Sequence, residues 1–171
     1  MDTSEYIDIV NDNNKVIGVA TLEEMYVKKY NHRIVHIFVL HPEEKKIYFQ
    51  KRADTKSFLP GYYCSSAGGH VKSGESYTEA AQRELYEELG LKTKLNPVHS
   101  FIFISNGHKR FITLFTTYAK KGFVFQDGEV ASGKFFSIDT AKRLVDKAEK
   151  IHPQLNLCFQ WFYKNRVSFM L

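Results

Sequence analysis

The sequence predicts an α/β sandwich built on a mixed β-sheet. Two observations predict it. Short alternating or densely apolar runs lie both before and after one sharply capped amphipathic helix, and two further helical segments close the chain. The length of 171 residues suits one domain with a core of its own. A composition of 43% hydrophobic and 15% aromatic residues argues against disorder. No internal repeat, low-complexity tract or linker marks a boundary, so residues 1–171 are expected to form a single domain.

Tyr6 to Val10 alternates as a strand, Asn11 to Asn14 is a turn, and Val16 to Leu22 returns as the partner strand of a hairpin. Thr21 with Glu24 forms a capping box that starts a short helix from Leu22 to about Lys29. Ile34 to Leu40 is too apolar to leave one face wet, which places it centrally. After the turn His41 to Lys46, the run Ile47 to Arg52 pairs back. Pro97 to Ser105 and Phe111 to Ala119 alternate as antiparallel strands joined by a surface turn, Asn106 to Arg110. Phe123 to Gln126 reads as a short edge piece, Asp127 to Val130 as a loop, and Lys134 to Ile138 as the last strand. Asp139 caps a helix from about Thr140 to Lys150, and Pro153 at a first turn begins another to about Lys164. The broad apolar face of Leu155, Leu157, Cys158, Trp161 and Phe162 either closes the core or buries against a second copy in a homodimer; the sequence leaves both open.

The densest pattern is GHVKSGESYTEAAQRELYEELGL, from Gly69 to Leu91. Ser76 with Glu79 is another capping box, which starts a helix at Tyr77, and Gly90 is a left-handed stop after Leu89. Tyr77, Ala81, Leu85 and Leu89, with Ala80, make the stripe that buries against the sheet. Glu84, Glu87 and Glu88 stand at i, i+3 and i+4, so their carboxylates share an adjoining face. Like charges that close are costly unless a cation lies among them or one stays protonated. Oxygen donors without Cys or His favour a hard cation, Mg²⁺ or Mn²⁺. An isolated acidic helix face is usually only solvated, but here a glycine-rich loop flanks it. Ser66 to His70 lets the backbone approach a ligand, with the Gly69 carbonyl as a further oxygen donor. Glu75 and Arg83 have the charges and spacing of an ion pair clamping that loop to the helix. Upstream, Lys51, Arg52 and Lys56 are candidates to hold phosphate oxygens, Arg52 best by its forked donors. Glu129 is a candidate extra ligand or general base.

The net charge is +5, unevenly placed: residues 75–88 carry −4 and the remainder +9. An acidic pocket in a basic body suits a small anionic diphosphate that arrives with a divalent cation. No Lys/Arg run exceeds two residues, so nucleic acid is not an expected partner. Cys64 and Cys158 are too few for a disulfide framework and are expected to be reduced thiols. The acidic start and the absence of a long apolar run predict a cytoplasmic protein without a membrane partner.

The spacing from Gly69 to Leu91 resembles the signature of the Nudix hydrolases: Gly, five residues, Glu, seven residues, then Arg-Glu-apolar-x-Glu-Glu-x-Gly-apolar. Every position agrees. The resemblance implies a Nudix-type α/β/α sandwich and metal-dependent hydrolysis of a diphosphate linked to another moiety, in the class of nucleoside diphosphate derivatives. It makes Glu84, Glu87 and Glu88 metal ligands, Gly69 a carbonyl ligand, and one of the signature carboxylates or Glu129 the base.

Asn31-His32-Arg33, Phe58-Leu59-Pro60-Gly61, Gly69-His70 and Asp127-Gly128-Glu129-Val130 are similar to the branch that includes the type 1 isopentenyl-diphosphate isomerases. That implies an alternative, proton transfer on an isoprenoid diphosphate. Those enzymes carry a Cys before the His of a C-x-H-P motif and a Glu-x-Glu pair entering the strand after the position of Asn106. Here Gly68 to Val71 lacks the Cys, Cys64 lies four residues too early, and His108 and Arg110 replace the carboxylates. Of their histidine ligands, His32 and His70 have counterparts, while Met25 falls where another is expected. The hydrolase set is whole and the isomerase set broken, so hydrolysis leads. A non-catalytic nucleotide-binding sensor is the third reading. No motif identifies the group attached to the diphosphate.

Overall fold

The computed structural model describes residues 5–125 and 128–170. Gln126 and Asp127, which the edge-piece and loop readings include, lie outside the described residues. The first hairpin, β1 (Tyr6–Val10) with β2 (Val16–Thr21), forms its own two-stranded sheet and leads into α1 (Leu22–Val27). The main sheet has seven strands: β3 (His32–Leu40), β4 (Lys46–Arg52), β5 (Tyr63–Cys64), β6 (Ala67–His70), β7 (Asn96–Ser105), β8 (His108–Tyr118) and β9 (Val130–Ser137). Their order is β5-β4-β3-β8-β7, with β6 beside β3 and β9 beside β4. The sheet is mixed because β3 and β8 run parallel, from His32↔Arg110 to Leu40↔Tyr118, while the other pairings are antiparallel.

Alternation along β3 explains why it reads as continuously apolar. Val35, Ile37 and Val39 pack on α2 (Tyr77–Leu89), through Ala80, Ala81, Leu85 and Leu89. Ile34, Phe38 and Leu40 face α3 (Ile138–Lys147) and α4 (Pro153–Asn165), through Ala141, Val145, Leu155, Phe159 and Phe162. Phe38, wholly buried, sits 5.3 Å from the Phe162 ring and 6.1 Å from Phe49. Burial of one such side chain contributes roughly 1.5–3 kcal/mol. The apolar face of α4 thus closes the core of this chain.

The hairpin read from Ile34 to Arg52 is only partly a hairpin. β3 and β4 pair at Leu40↔Ile47 alone and then diverge. β6 takes the edge that β3 frees, from Ile34↔His70 to Ile37↔Ala67, while β9 and β5 flank β4. A wedge opens between the two halves of the sheet.

Three further expectations are corrected. The segment read as a loop, Ser66 to His70, is largely the strand β6, because β3 offers it an unpaired edge. The turn is Asn106-Gly107 alone, with φ of 55° and 82°, the left-handed pair that a tight hairpin requires. His108 and Arg110 therefore lie within β8 and are buried instead of sitting at the surface. The cap of α3 is Ser137, whose hydroxyl accepts from the Thr140 amide at 3.3 Å, and not Asp139. Cys64 and Cys158 are both free and buried. No helix among the described residues is long and apolar enough to cross a membrane.

Candidate active site

The helix α2 is positioned from both ends. Ser76 accepts from the Glu79 amide at 3.2 Å while Glu79 accepts from the Ser76 amide at 2.8 Å, and Gly90 ends the helix at φ 69°. With its alanine and leucine stripe against the sheet, Glu84 and Glu88 are drawn under β6 and Glu87 stays at the rim.

Arg83 organises this end. Its Nε and one terminal nitrogen donate to the two Glu75 oxygens at 2.7 and 2.9 Å, and that terminal nitrogen also donates to the His70 carbonyl at 2.9 Å. The expected ion pair is therefore a fork that ties the segment after β6 to α2. Burial works to raise the Glu75 pKa, but the Arg83 bonds and the Lys72 amide outweigh it and hold it below its usual value. Burial alone would lower the Arg83 pKa; the Glu75 and Glu84 carboxylates reverse that and set it well above its usual value.

The other terminal nitrogen of Arg83 lies 2.7 Å from Glu84 Oε1 and 3.1 Å from Glu87 Oε2. Burial pushes the Glu84 carboxyl up to about 7 against the pull of Arg83, and the Glu87 charge adds to the rise. Glu84 also lies against Gly69 so closely that a β-carbon there would overlap its carboxylate. Glu88 points elsewhere: its Oε2 accepts from the Gln50 amide at 2.8 Å and from the Gly68 N–H at 3.2 Å. Three carboxylates converging on one point is thus not what the structure holds. Glu84 and Glu87 meet through Arg83, and among the described residues no three His, Cys, Asp or Glu side chains gather to hold a metal ion.

The wedge between β3 and β4 widens into a cavity of about 540 Å³. Glu84, Glu87, Gly69 and Arg83 line one wall; Arg52, Lys56 and Glu129 line another, with Lys56 paired to Glu129 at 2.6 Å. Lys51 does not join them, because alternation along β4 sends Gln50 and Arg52 to the cavity and the residue between them to the opposite face. Cys64 also lines the cavity, where burial raises its thiol to about 12.

Sequence reasoning did not single out His36, Gln50 or Gln154, and it took Arg110 only as a missing carboxylate. His36 contacts Ser65 Oγ at 2.7 Å and Gln154 Oε1 at 2.8 Å, fastening β3 to the turn before β6 and to the start of α4. A histidine inside an apolar run was the signal for it. Beyond Ile34 and Ile112 the same sheet face turns polar, with His32, His70, His108 and Arg110 grouped there and Tyr26 of α1 against His32 and His70.

The NUDIX domain model matches residues 30–157 of this chain. The chain belongs to the Nudix family. The Nudix hydrolase YfcD of Salmonella typhi is 36% identical over 130 residues, which is 75% of this chain and 70% of that protein. YfcD of Escherichia coli K12 is 37% identical over 130 residues, covering 75% and 72%. In fold the chain resembles the DR0079 protein of Deinococcus radiodurans, with TM-score 0.80, 22% identity and coverage of 92% and 98%. It also resembles the MutT protein of Methanosarcina mazei Go1, with TM-score 0.66, 18% identity and coverage of 80% and 95%.

The donors of this Nudix site fit a divalent cation in kind. A single guanidinium nitrogen lies within 3.1 Å of oxygens from both Glu84 and Glu87, so one cation can contact both carboxylates. The site is oxygen-rich and free of thiolate, which suits Mg²⁺ or Mn²⁺.

Proposed function

We propose that this chain is a pyrophosphohydrolase that cleaves a diphosphate linked to another moiety, in the class of nucleoside diphosphate derivatives. The observation that carries the reading is one cavity lined by Glu84, Glu87 and Gly69 on one wall and by Arg52 and Lys56 on another. Anion-binding and cation-binding groups share that cavity, as a diphosphate with its counterion requires.

Mg²⁺ or Mn²⁺ held by Glu84 and Glu87, with the Gly69 carbonyl as a further donor and Glu88 behind them on Gln50 and Gly68 as the ligand it would still have to recruit, would neutralise the diphosphate and lower the pKa of an attacking water. The residues of the chain have separate tasks. Arg83 holds Glu84 and Glu87 while its fork to Glu75 fixes α2 against β6. Gly69 leaves room for the Glu84 carboxylate. Gln50 and the Gly68 amide orient Glu88. Arg52 contacts phosphate through its forked donors, with Lys56 beside it. Glu87, the most exposed of the three carboxylates, takes the proton of water attacking phosphorus; Glu129, across the cavity, is the alternative base. The isomerase alternative lacks its carboxylate pair, since β8 carries His108 and Arg110 at those positions.

The test is release of phosphate or nucleoside monophosphate with Mg²⁺ or Mn²⁺ across nucleoside di- and triphosphates, dinucleotides, sugar diphosphates and isopentenyl diphosphate. Release that disappears in Glu87→Gln and Glu88→Gln supports hydrolysis. Isomerised isopentenyl diphosphate, or ligand bound and never turned over, overturns it.

A further inference from the structure

The cavity carries more positive charge than its acidic wall uses. Among the described residues, Arg52, Lys56, Lys72, Arg83 and Arg110 line it. Lys56 is paired with Glu129, Lys72 with Glu5 at 3.6 Å, and Arg83 with Glu75, Glu84 and Glu87. Arg52 donates to the Phe58 carbonyl at 3.0 Å and is the phosphate contact proposed above. Arg110 is left without a task.

Its setting is unusual for an arginine. The residue is 8% exposed, yet its polar contacts are one long bond to the Ser105 carbonyl at 3.4 Å and the Phe103 ring at 5.9 Å. No carboxylate among the described residues lies within ion-pair distance. A buried guanidinium without an anion is costly to stability, so the fold gains if an anion arrives. The neighbours are suited to one. The Tyr26 hydroxyl lies 2.9 Å from His70 Nε2, and Tyr26, His70, Ser105 and Asn106 line the cavity with Arg110.

Arg110 is also remote from the carboxylates. β3 separates β6 from β8, so Gly69 and Arg110 stand two strand spacings apart, roughly 10 Å. They occupy opposite faces as well, Gly69 in register with Val35 and Arg110 with His32. The cavity thus has two separate poles for negative charge on a ligand.

We propose that Arg110, with the Tyr26 hydroxyl and His70 beside it, forms an anion subsite for a phosphate or carboxylate on the moiety linked to the diphosphate. The inference rests on the diphosphate reading of the acidic wall. It assigns Arg110 to choosing the substrate, since the substrate would carry negative charge at both ends.

The experiment compares matched pairs that differ in one remote anion: UDP-glucuronate with UDP-glucose for carboxylate, and coenzyme A with dephospho-coenzyme A for phosphate. The wild-type protein, with Mg²⁺, is expected to show kcat/KM about tenfold or more higher for the charged member of one pair, carried in KM. Arg110→Met brings that ratio near one and Arg110→Lys restores part of it, both with wild-type circular dichroism. Which pair responds identifies the anion. A ratio unchanged in Arg110→Met, with both members slowed alike, places Arg110 on the diphosphate itself and overturns the proposal; so does a wild-type ratio near one in both pairs. If neither member of any pair is hydrolysed, the wider substrate panel above decides the diphosphate reading and calorimetry decides the subsite separately. Tighter binding of a charged member that Arg110→Met abolishes supports it, and equal binding of both members overturns it.

Discussion

The carboxylate of Glu84 fills the space that a β-carbon on Gly69 would need. The two residues are 15 positions apart and belong to different elements, so the glycine of the signature and its first helix glutamate form one steric unit. Gly69→Ala is expected to displace Glu84 and lower kcat by about tenfold or more while the fold persists. Gly68→Ala is the contrast. Its β-carbon would meet the Val35 carbonyl at 2.5 Å, and backbone cannot swing aside, so this variant loses thermal stability first. Turnover and melting curves of the two variants check the distinction.

The fork between Arg83 and Glu75 is expected to matter for stability as well as for the site. Glu75→Gln removes the carboxylate that both arms of the fork meet and leaves only Glu84 and Glu87 on the other terminal nitrogen, and Arg83→Lys cannot present two parallel donors. Each is expected to cost about 1–3 kcal/mol by denaturant unfolding. The loss should change little with salt, because the pair is shielded from solvent.

How much of this was legible depended on how local the cause was. The helix α2 could be read because its capping box, its stripe and its Gly90 stop all lie within the segment itself. β6 could not, since Ala67-Gly68-Gly69-His70 has poor strand propensity and is held extended by the edge of β3. Arg110 was misplaced because five polar residues read as a turn, where Asn106-Gly107 alone turns the chain. The carboxylates were correctly put on one helix, but their directions depend on partners from elsewhere, Gln50 and Gly68 for Glu88 and Arg83 for Glu84.

Glu84 is expected to make the metal-free protein less stable as pH rises. Burial lifts its folded pKa to about 7 from 4.5, so the folded state binds the extra proton between those values and stability falls across that window. With chelator present, Glu84→Gln should therefore exceed the wild type by about 1–3 kcal/mol near pH 8.5 and lose that advantage near pH 4.5. Added Mg²⁺ should stabilise the wild type alone. Denaturant midpoints at the two pH values test it; a variant less stable at the higher pH would refute it.

Three histidines, His32 buried and His70 and His152 partly so, act in the other direction. Burial lowers His32 and His152 to about 3 and His70 to about 4, below the 6.5 at which they titrate in the unfolded chain. The unfolded state then takes protons first, and stability falls as pH drops from 6.5 toward 4. Each histidine adds about 1.4 kcal/mol per pH unit to that slope, and Glu84 opposes part of it. Unfolding midpoints between those pH values measure the slope, which should flatten in His152→Asn.

The single pairing Leu40↔Ile47, where β3 and β4 part, has a consequence for how such a protein changes over generations. On the β3 side, α2 and β6 carry Glu84, Glu87 and Gly69; on the other side, β4 and the loops beyond it carry Arg52, Lys56 and Glu129. Substitutions at Arg52 or Lys56 can therefore alter the basic side of the cavity while the Arg83–Glu75 fork keeps the carboxylates of α2 in place. A lineage built on this split inherits one chemistry and remains free to try it on new molecules.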